Sequence, residues 1–152
     1  MQIADLLTPD SVIPVLTAAS KKQALQELSR VAAERTGLPE RQIFDVLLER
    51  ERLGTTGVGR GVAIPHGKLP GLKRVIAAFG RSPSGIDFSS LDGKPTHLFF
   101  LLVAPEDSAG AHLKALARIS RLLKDDAFRA RLMRAGDAGE LYRTIREEDE
   151  KY

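Results

Sequence analysis

The amino-acid sequence predicts an α/β or α+β sandwich with helices on both faces of a sheet. Two segments with helical periodicity precede a group of short strand-like segments, and three more helical segments follow it. The segment from His97 to Val103 is almost wholly apolar, which is typical of a strand covered on both faces. A length of 152 residues suits one domain that can bury its own core.

The N-terminal third predicts one strand and two helices. Residues 12 to 16 are a strand candidate, and the proline within it favours an edge position. Ser20 begins a capping box and is the expected N-cap of the first helix, which Gly37 ends. The second helix is expected to begin at Pro39 and to run to about Arg52.

The middle of the chain predicts a loop and short strands. Four glycines between residues 53 and 61 indicate a loop, because they tolerate positive φ angles. Val62 to Ile64 is a short strand that Pro65 is expected to close. Two further strands are predicted at residues 75–80 and 86–88.

Three helices are predicted in the C-terminal third. They cover about residues 108–124, 126–135 and 137–146. The last of them opens with Asp137 and Glu140, a variant of the capping box. Residues 147 to 152 form a charged tail that is expected to fray.

Composition excludes several classes of protein. The chain has no cysteine, which rules out disulfides, a thiolate nucleophile and a cysteine-type zinc site. The apolar run from Leu98 to Ala104 is too short to cross a bilayer, and the N-terminus lacks a signal-peptide pattern. We therefore expect a cytoplasmic protein that does not insert into membranes.

The net charge of +3 and the pI of about 9.4 raise the possibility of nucleic-acid binding. Basic residues are, however, interleaved with acidic ones, and aromatic residues make up only 5% of the chain. Few side chains are therefore available to stack on bases. A mildly basic surface better fits an acidic or phosphate-bearing protein partner than a nucleic acid.

Two nucleotide-binding motifs are absent from the glycine-rich region. The spacing from Gly61 to Gly67 is one residue too long for a P-loop, and Leu69 replaces its magnesium-binding hydroxyl. The glycines at 57, 59 and 61 do not form a dinucleotide fingerprint, because the third comes one position early. A nucleotide-binding enzyme is not expected.

His66 is the first candidate for chemistry. It follows Pro65 at the predicted exit of a short strand, and imidazole offers a neutral nucleophilic nitrogen near neutral pH. Gly57, Gly59 and Gly61 could turn their N–H groups toward one point and form an anion-binding nest. The alternative is an ordinary histidine in a surface loop.

Arg50 continues an apolar helical stripe to the last turn of the second helix, so it is expected to face inward toward the glycine-rich loop. There a guanidinium could clamp a phosphoryl group. The alternative is a cation that stabilises the helix C-terminus while its stem covers apolar surface.

His112 lies in the first turn of the helix that begins near Ser108, on its apolar face. The positive end of the helix would keep the ring neutral and favour a nearby phosphate. The alternative is a half-buried structural histidine. His97, at the start of the apolar strand, is interpreted as structural, and the spacing of the three histidines does not predict a metal site.

Two segments resemble a known family. Residues 50 to 68, from Arg50 to Lys68, are similar to the active-site signature of mannitol/fructose-type enzyme IIA domains of the bacterial phosphotransferase system. Residues 105 to 123, which include His112, resemble the family's second-histidine helix. The resemblance covers essentially residues 1–152 as a single domain of this type.

The resemblance implies a role for each candidate. His66 matches the histidine that is phosphorylated by a small histidine phosphocarrier protein, His112 the second active-site histidine, and Arg50 the active-site arginine. The implied fold is a three-layer α/β/α sandwich on a mixed sheet. No metal or cofactor is implied.

Within the family, the segments around Gly57 and His66 resemble the nitrogen-regulatory branch. This branch implies signalling by phosphorylation state to regulated proteins such as potassium-transport or sensor-kinase components. Arg60 and Lys68 are then expected at the partner-contacting rim of the site. The alternative is a sugar-specific IIA component that passes its phosphoryl group to a IIB protein; the chain has no room for a fused IIB or membrane domain.

Overall fold

The computed structural model describes residues 2–151. Its five α-helices are α1 (Lys21–Thr36), α2 (Glu40–Arg52), α3 (Ala109–Leu123), α4 (Asp126–Arg134) and α5 (Ala138–Asp149). Its six strands are β1 (Val12–Ile13), β2 (Gly57–Gly59), β3 (Val62–Ala63), β4 (His66–Leu69), β5 (Ile76–Ile86) and β6 (Thr96–Pro105). Two short 3-10 helices, Ile3–Asp5 and Pro9–Ser11, precede β1.

The six strands form one mixed sheet, as predicted. Its order is β1-β5-β6-β3-β2, and β4 pairs with β6 on the same edge as β3. Strand β5 is antiparallel to β6, whereas β3 and β4 both run parallel to it. Strand β1 lies at the edge, as Pro14 directly after it predicts.

Helices cover both faces of this sheet, which confirms the predicted three-layer sandwich. Helices α1 and α2 pack together on one face. Helices α3, α4 and α5 pack on the other face with the first 3-10 helix. Within residues 2–151, no helix combines the length and the apolar content that a membrane crossing requires.

Strand β6 supplies side chains to both layers. Alternate residues point to opposite faces of a strand, so Phe100 and Leu102 join the α3–α5 layer while Phe99 and Leu101 join the α1–α2 layer. Each of the two phenylalanines makes an edge-to-face contact, Phe100 with Phe79 and Phe99 with Phe88. The prediction of a strand covered on both faces is confirmed.

The helix boundaries follow the predicted caps closely. The Ser20 side chain accepts a hydrogen bond from the Gln23 N–H at 3.2 Å, and the Gln23 side chain accepts one from the Ala19 N–H at 2.8 Å. Gly37 ends α1 with a φ of 73°. Pro39 is the N-cap of α2 and not its first helical residue. These signals are local, so the sequence alone reveals them.

The strand predictions differ from the structure at β5 and in the glycine-rich segment. Residues 76–80 and Ile86 belong to one long strand, β5, whose pairing with β6 shifts register between Arg81 and Ile86, and residues 87–88 follow its end. The glycine-rich segment is not only a loop, since β2 and β3 form a hairpin there. Pairing with β6 decides both outcomes, and a local pattern does not contain it.

The expectation of a frayed tail from residue 147 is wrong for residues 147–149. Helix α5 continues to this residue, whose side chain is fully buried. The carboxylate accepts hydrogen bonds from the Ala4 N–H at 3.1 Å and from the Arg118 guanidinium. A buried carboxylate needs such partners, and here they join the two ends of the chain. Tyr152 lies outside the described residues.

Candidate functional site

His66 is the first residue of β4 and lies opposite Leu102 of β6. The prediction of a strand exit is therefore wrong, because pairing stops only at Ile64 and Pro65 and then resumes in the same register. The Pro65 carbonyl still accepts a hydrogen bond from the Leu102 N–H at 2.9 Å. Proline has no N–H to donate, but its carbonyl can still accept a hydrogen bond. The pairing with β6 is therefore interrupted at Pro65 and continues after it.

The orientation of the His66 ring is set by the backbone two residues before it. The ring Nδ1 lies 2.8 Å from the carbonyl oxygen of Ile64. A carbonyl oxygen only accepts hydrogen bonds, so Nδ1 carries the proton and the neutral ring has its lone pair on Nε2. Among residues 2–151, none donates to that nitrogen. The structure thus identifies Nε2 as the ring nitrogen with an available lone pair, which the sequence does not.

The pKa of His66 is lowered below its ordinary value of 6.5. Burial is the largest cause, since it penalises the charged form, and the positive charge of Arg50 acts in the same direction. The hydrogen bond to Ile64 and the charge of Glu51 oppose this shift. The ring is therefore neutral, and its Nε2 lone pair available, at neutral pH.

His112 lies in the first turn of α3, as predicted, and is buried. Its ring centroid is 5.5 Å from that of His66, with an angle of 75° between the two planes. The pKa of His112 is lowered, first by burial and then by repulsion from the protonated form of His66 and from Lys68. Its buried Nε2 has no hydrogen-bond partner among the described residues, so this polar atom can accept or donate to a ligand beside His66.

Arg50 lies in the last turn of α2 and faces the start of the glycine-rich segment, as the helical stripe predicts. Its Nη1 donates a hydrogen bond to the Gly54 carbonyl at 2.9 Å. A guanidinium has five N–H donors, so this bond leaves others available. The contact fixes the head group on the side of α2 that faces His66.

One cavity of about 470 Å³ brings these residues together. His66, His112, Arg50 and Lys68 all line it; the other lining residues are Val46, Glu49, Leu53 and Gly67. The four predicted residues come from three separate elements, α2, β4 and α3. A site that combines a neutral nucleophile with cations and an unpaired polar atom is suited to a phosphoryl group.

The predicted glycine nest is not formed at this cavity. Gly57, Gly59 and Gly61 belong to the β2–β3 hairpin, whose turn at Arg60 and Gly61 has φ angles of 59° and 77°. The hairpin pairs with Leu98 of β6, whereas His66 pairs with Leu102. These two β6 residues are four positions apart, which is roughly 13 Å along a strand. The expectation that the three glycines cradle a phosphate on His66 is therefore wrong.

Arg60 is also displaced from its predicted place. It is exposed in the hairpin turn, where its N–H donates to the Asp92 carboxylate at 3.0 Å. It lines a different cavity from that of His66. Strand pairing carries residues 57–63 away from the site, so nearness in sequence to His66 is a poor guide here. Of the two predicted rim residues, only Lys68 lies at the histidine cavity.

Gly67 is a positioning residue that sequence analysis did not single out for its geometry. A Cβ atom at this position would lie 2.5 Å from Val46 Cγ1 on α2. Only glycine therefore lets α2 approach β4 closely enough to hold Arg50 beside His66. The signal in the sequence is a glycine directly after the candidate nucleophile, inside a strand where glycine is otherwise disfavoured.

Glu51 is a second missed residue. Its buried carboxylate lies 2.9 Å from Lys21 Nζ and accepts hydrogen bonds from the N–H and hydroxyl of Thr56. These contacts hold the segment after α2 against the helix that carries Arg50. The sequence signal is helical spacing, since Phe44, Leu47 and Glu51 share one buried face. Within the described range, no group of three or more histidines or carboxylates could hold a metal ion.

Comparison with protein families identifies the family of the chain. Residues 5–148 match the family model described as "Phosphoenolpyruvate-dependent sugar phosphotransferase system, EIIA 2". The chain belongs to this EIIA type 2 family. The match contains all six strands and, apart from Asp149 at the end of α5, all five α-helices. It therefore includes the α2, β4 and α3 residues of the histidine cavity.

Three relatives place the chain within the family. A nitrogen regulatory protein of Bradyrhizobium diazoefficiens is 54% identical over 145 residues, with 95% of each chain covered. A fructose-specific EIIABC component of Bacillus subtilis is 35% identical over 98% of this chain, which spans only 24% of that protein. The crystal structure of nitrogen regulatory protein IIA-Ntr from Neisseria meningitidis superposes with a TM-score of 0.89 at 33% identity, covering 94% of this chain and 98% of that one.

Replacing Gly67 with alanine should destabilise the EIIA domain by about 1 to 3 kcal/mol, because the new Cβ meets Val46. Urea unfolding measures the loss, and Gly110→Ala is the matched control, since a Cβ there meets nothing within 4 Å. A Gly67→Ala/Val46→Ala chain should be more stable than the sum of the two single changes predicts. Simple additivity would contradict the proposed clash.

Stability should fall as the pH falls below about 6.5, because His66 and His112 have lowered pKa values in the folded chain. The unfolded chain then binds more protons than the folded one, so the free energy of unfolding rises with pH through this window and levels off above it. Urea unfolding at about pH 5.5 and about pH 7.5 measures the slope. A His66→Gln/His112→Gln chain should show a smaller slope, and an unchanged one would refute this assignment.

Proposed function

We propose that this chain is a phosphohistidine relay and regulatory protein that accepts a phosphoryl group on His66 Nε2 from a histidine phosphocarrier protein. The observation that carries the proposal is the hydrogen bond from His66 Nδ1–H to the Ile64 carbonyl. It leaves the Nε2 lone pair free at a cavity whose lining also includes the cationic side chains of Arg50 and Lys68 and a second histidine, His112.

The transfer balances as a displacement between two imidazoles. The Nε2 lone pair of His66 attacks phosphorus, the nitrogen–phosphorus bond of the carrier breaks, and its electron pair returns to the carrier ring. The His66 ring gains positive charge as the new bond forms. The Ile64 carbonyl, 2.8 Å from Nδ1, stabilises that charge because a hydrogen bond from a charged donor is stronger.

Other residues of the cavity stabilise the transferred group. The remaining donors of Arg50 and the unpartnered Nε2 of His112 can bind the phosphoryl oxygens, whose negative charge is spread in the transition state. Lys68, exposed at the rim, adds a positive charge that attracts a phosphorylated partner. Gly67 and Glu51 act by positioning α2. No metal or cofactor enters this mechanism.

The nitrogen-regulatory branch is the one that the comparisons favour. The relative with 54% identity carries that name and matches along nearly its whole length. In this role phosphorylation adds negative charge beside Arg50 and Lys68 and changes which proteins bind there. The regulated proteins would include potassium-transport or sensor-kinase components. We assign the relay to the cytoplasm, where phosphoenolpyruvate, the phosphoryl source in the family's name, is made.

A sugar-specific role is the second candidate, because a fructose-specific component is also 35% identical. In that role His66 would pass its phosphoryl group to a IIB protein. The two roles use the same chemistry on His66 and differ in the protein that follows it.

His66→Ala should abolish phosphorylation by enzyme I, phosphocarrier and phosphoenolpyruvate, as measured by intact mass. Labelling of the native chain should be acid-labile and alkali-stable, as expected for a phosphorus–nitrogen bond. The matched control is His97→Gln, since His97 lies outside the cavity with Nδ1 bound to the Ser82 carbonyl. Undiminished labelling of the His66→Ala chain would disprove the central assignment.

Arg50→Ala and His112→Ala should each slow the transfer about a hundredfold or more, because each removes a group that stabilises transition-state charge. Rapid-quench measurements of phosphoryl transfer give the rates. Arg52→Ala is the control, since this arginine lies two residues after Arg50 and pairs on the surface with Glu49. Native rates in both site variants would show that these residues are structural only.

Deletion of the gene separates the two candidate roles. If the chain is regulatory, a deletion strain should grow normally on single sugars and show altered nitrogen or potassium regulation. Purified phosphorylated protein should transfer slowly, if at all, to sugar-specific IIB proteins. Loss of growth on one sugar, together with rapid transfer to its IIB protein, would favour the transport role.

A further inference from the structure

A second cavity lies between the β2–β3 hairpin and the C-terminal end of α3. Its volume is about 560 Å³, compared with 470 Å³ for the histidine cavity. Volumes of about 300 to 1,000 Å³ are typical of small-molecule sites. Its lining residues are Val58, Gly59, Arg60, Val62, Ile64, Ser120, Leu123 and Lys124. The function proposed above uses none of these side chains.

The lining combines an apolar floor with a cationic rim. Val62, Ile64 and Leu123 are part of the hydrophobic core and present apolar surface to the cavity. Arg60 and Lys124 are exposed at its edge. Among the described residues, neither cationic head group has an ion-pair or hydrogen-bond partner. Two unpaired cations above an apolar surface are complementary to a molecule with an anionic group and an apolar body.

The backbone at Arg60 supports the same conclusion. Arg60 has a φ of 59° and Gly61 a φ of 77°. A hairpin turn with two positive φ angles favours asparagine, aspartate or glycine, whereas arginine is strained there. The backbone conformation of the turn favours a smaller residue, yet this position carries an arginine whose side chain lies at the cavity. Strained residues that a fold retains are often functional.

We propose that this cavity binds a small organic anion, with a phosphate or carboxylate group between Arg60 and Lys124 and an apolar part against Val62, Ile64 and Leu123. The hydroxyl of Ser120 offers a further hydrogen bond to the anionic group. The ligand is a metabolite-sized molecule, since the volume does not admit a folded segment of another protein.

The cavity is connected to the phosphorylation site through two elements. Ile64 lines it with its side chain, while the carbonyl of the same residue holds His66 Nδ1–H. Helix α3 carries Ser120 and Leu123 near one end and His112 near the other. A ligand that moves Ile64 or α3 therefore changes the position of both histidines. This regulatory consequence depends on the function proposed for His66, whereas binding itself does not.

Nuclear magnetic resonance titration of the full chain tests binding directly. The probes are phenyl phosphate, benzoate and, as a neutral control, benzyl alcohol. We expect both anions, or the one whose charge group fits, to shift the amide signals of Val58, Ser120 and Leu123. Affinity for that anion should exceed affinity for benzyl alcohol at least tenfold, and the better of the two anions identifies the preferred group.

Charge removal provides the matched variants. Arg60→Asn/Lys124→Gln should weaken binding of the preferred anion at least tenfold, and asparagine preserves the turn because it tolerates positive φ. Arg41→Gln removes an exposed cation of α2 and should leave the affinity unchanged. Thermal unfolding of each variant verifies the fold. Equal affinity in the double variant and the native chain would overturn the proposal.

The remaining outcomes are also decisive. Shifts confined to Gly67 and Lys68 would show that the anions bind only at the histidine cavity and would overturn the second site. Shifts caused by a hexaglutamate peptide but by neither small anion would show a protein-docking surface instead. At saturation the His66 ring signals should move, and static signals would refute the regulatory link. The titration needs no phosphorylation, so its result is independent of the relay assignment.

Discussion

The pairing of strand β6 along both of its edges is the constraint on which the rest of the structure depends. Its side chains are buried in both helical layers, so its backbone groups must find partners within the sheet. Strand β5 pairs with most of one edge, and β3 and β4 share the other in a single register. The two layers then follow, because each face of β6 needs helices to cover it.

The candidate site lies where β3 gives way to β4 along that second edge. The Pro65 carbonyl still accepts from the Leu102 N–H of β6, whereas the Ile64 N–H donates to the Thr56 carbonyl and the Ile64 carbonyl holds the ring of His66. Gly67 then admits α2 with Arg50, and α3 brings His112 from the opposite layer. Burial and the nearby cations keep both rings neutral. The candidate nucleophile is thus held by hydrogen bonds and packing that belong to the core.

Sequence reasoning succeeded where the physical signal is local. Ser20 and Gly37 bound α1 because a side-chain cap and a positive φ act within a few residues. Helical spacing placed Arg50 and His112 on inward faces, since the period of a helix fixes its faces. Nearness in sequence to His66 was a wrong guide for four residues of the β2–β3 hairpin, which lies farther along β6. These residues are Gly57, Gly59, Arg60 and Gly61.

The sequence by itself determined the helices, the doubly buried strand, the family motifs and the identity of the candidate nucleophile. Only the tertiary structure decided that Nε2 of His66 is the free nitrogen, that Gly67 sets the approach of α2, and that Asp149 is buried. The physical reason is range. Caps and periodicity act over a few residues, whereas strand register and the partners of buried polar groups depend on residues far apart in the chain, such as Ala4 and Asp149.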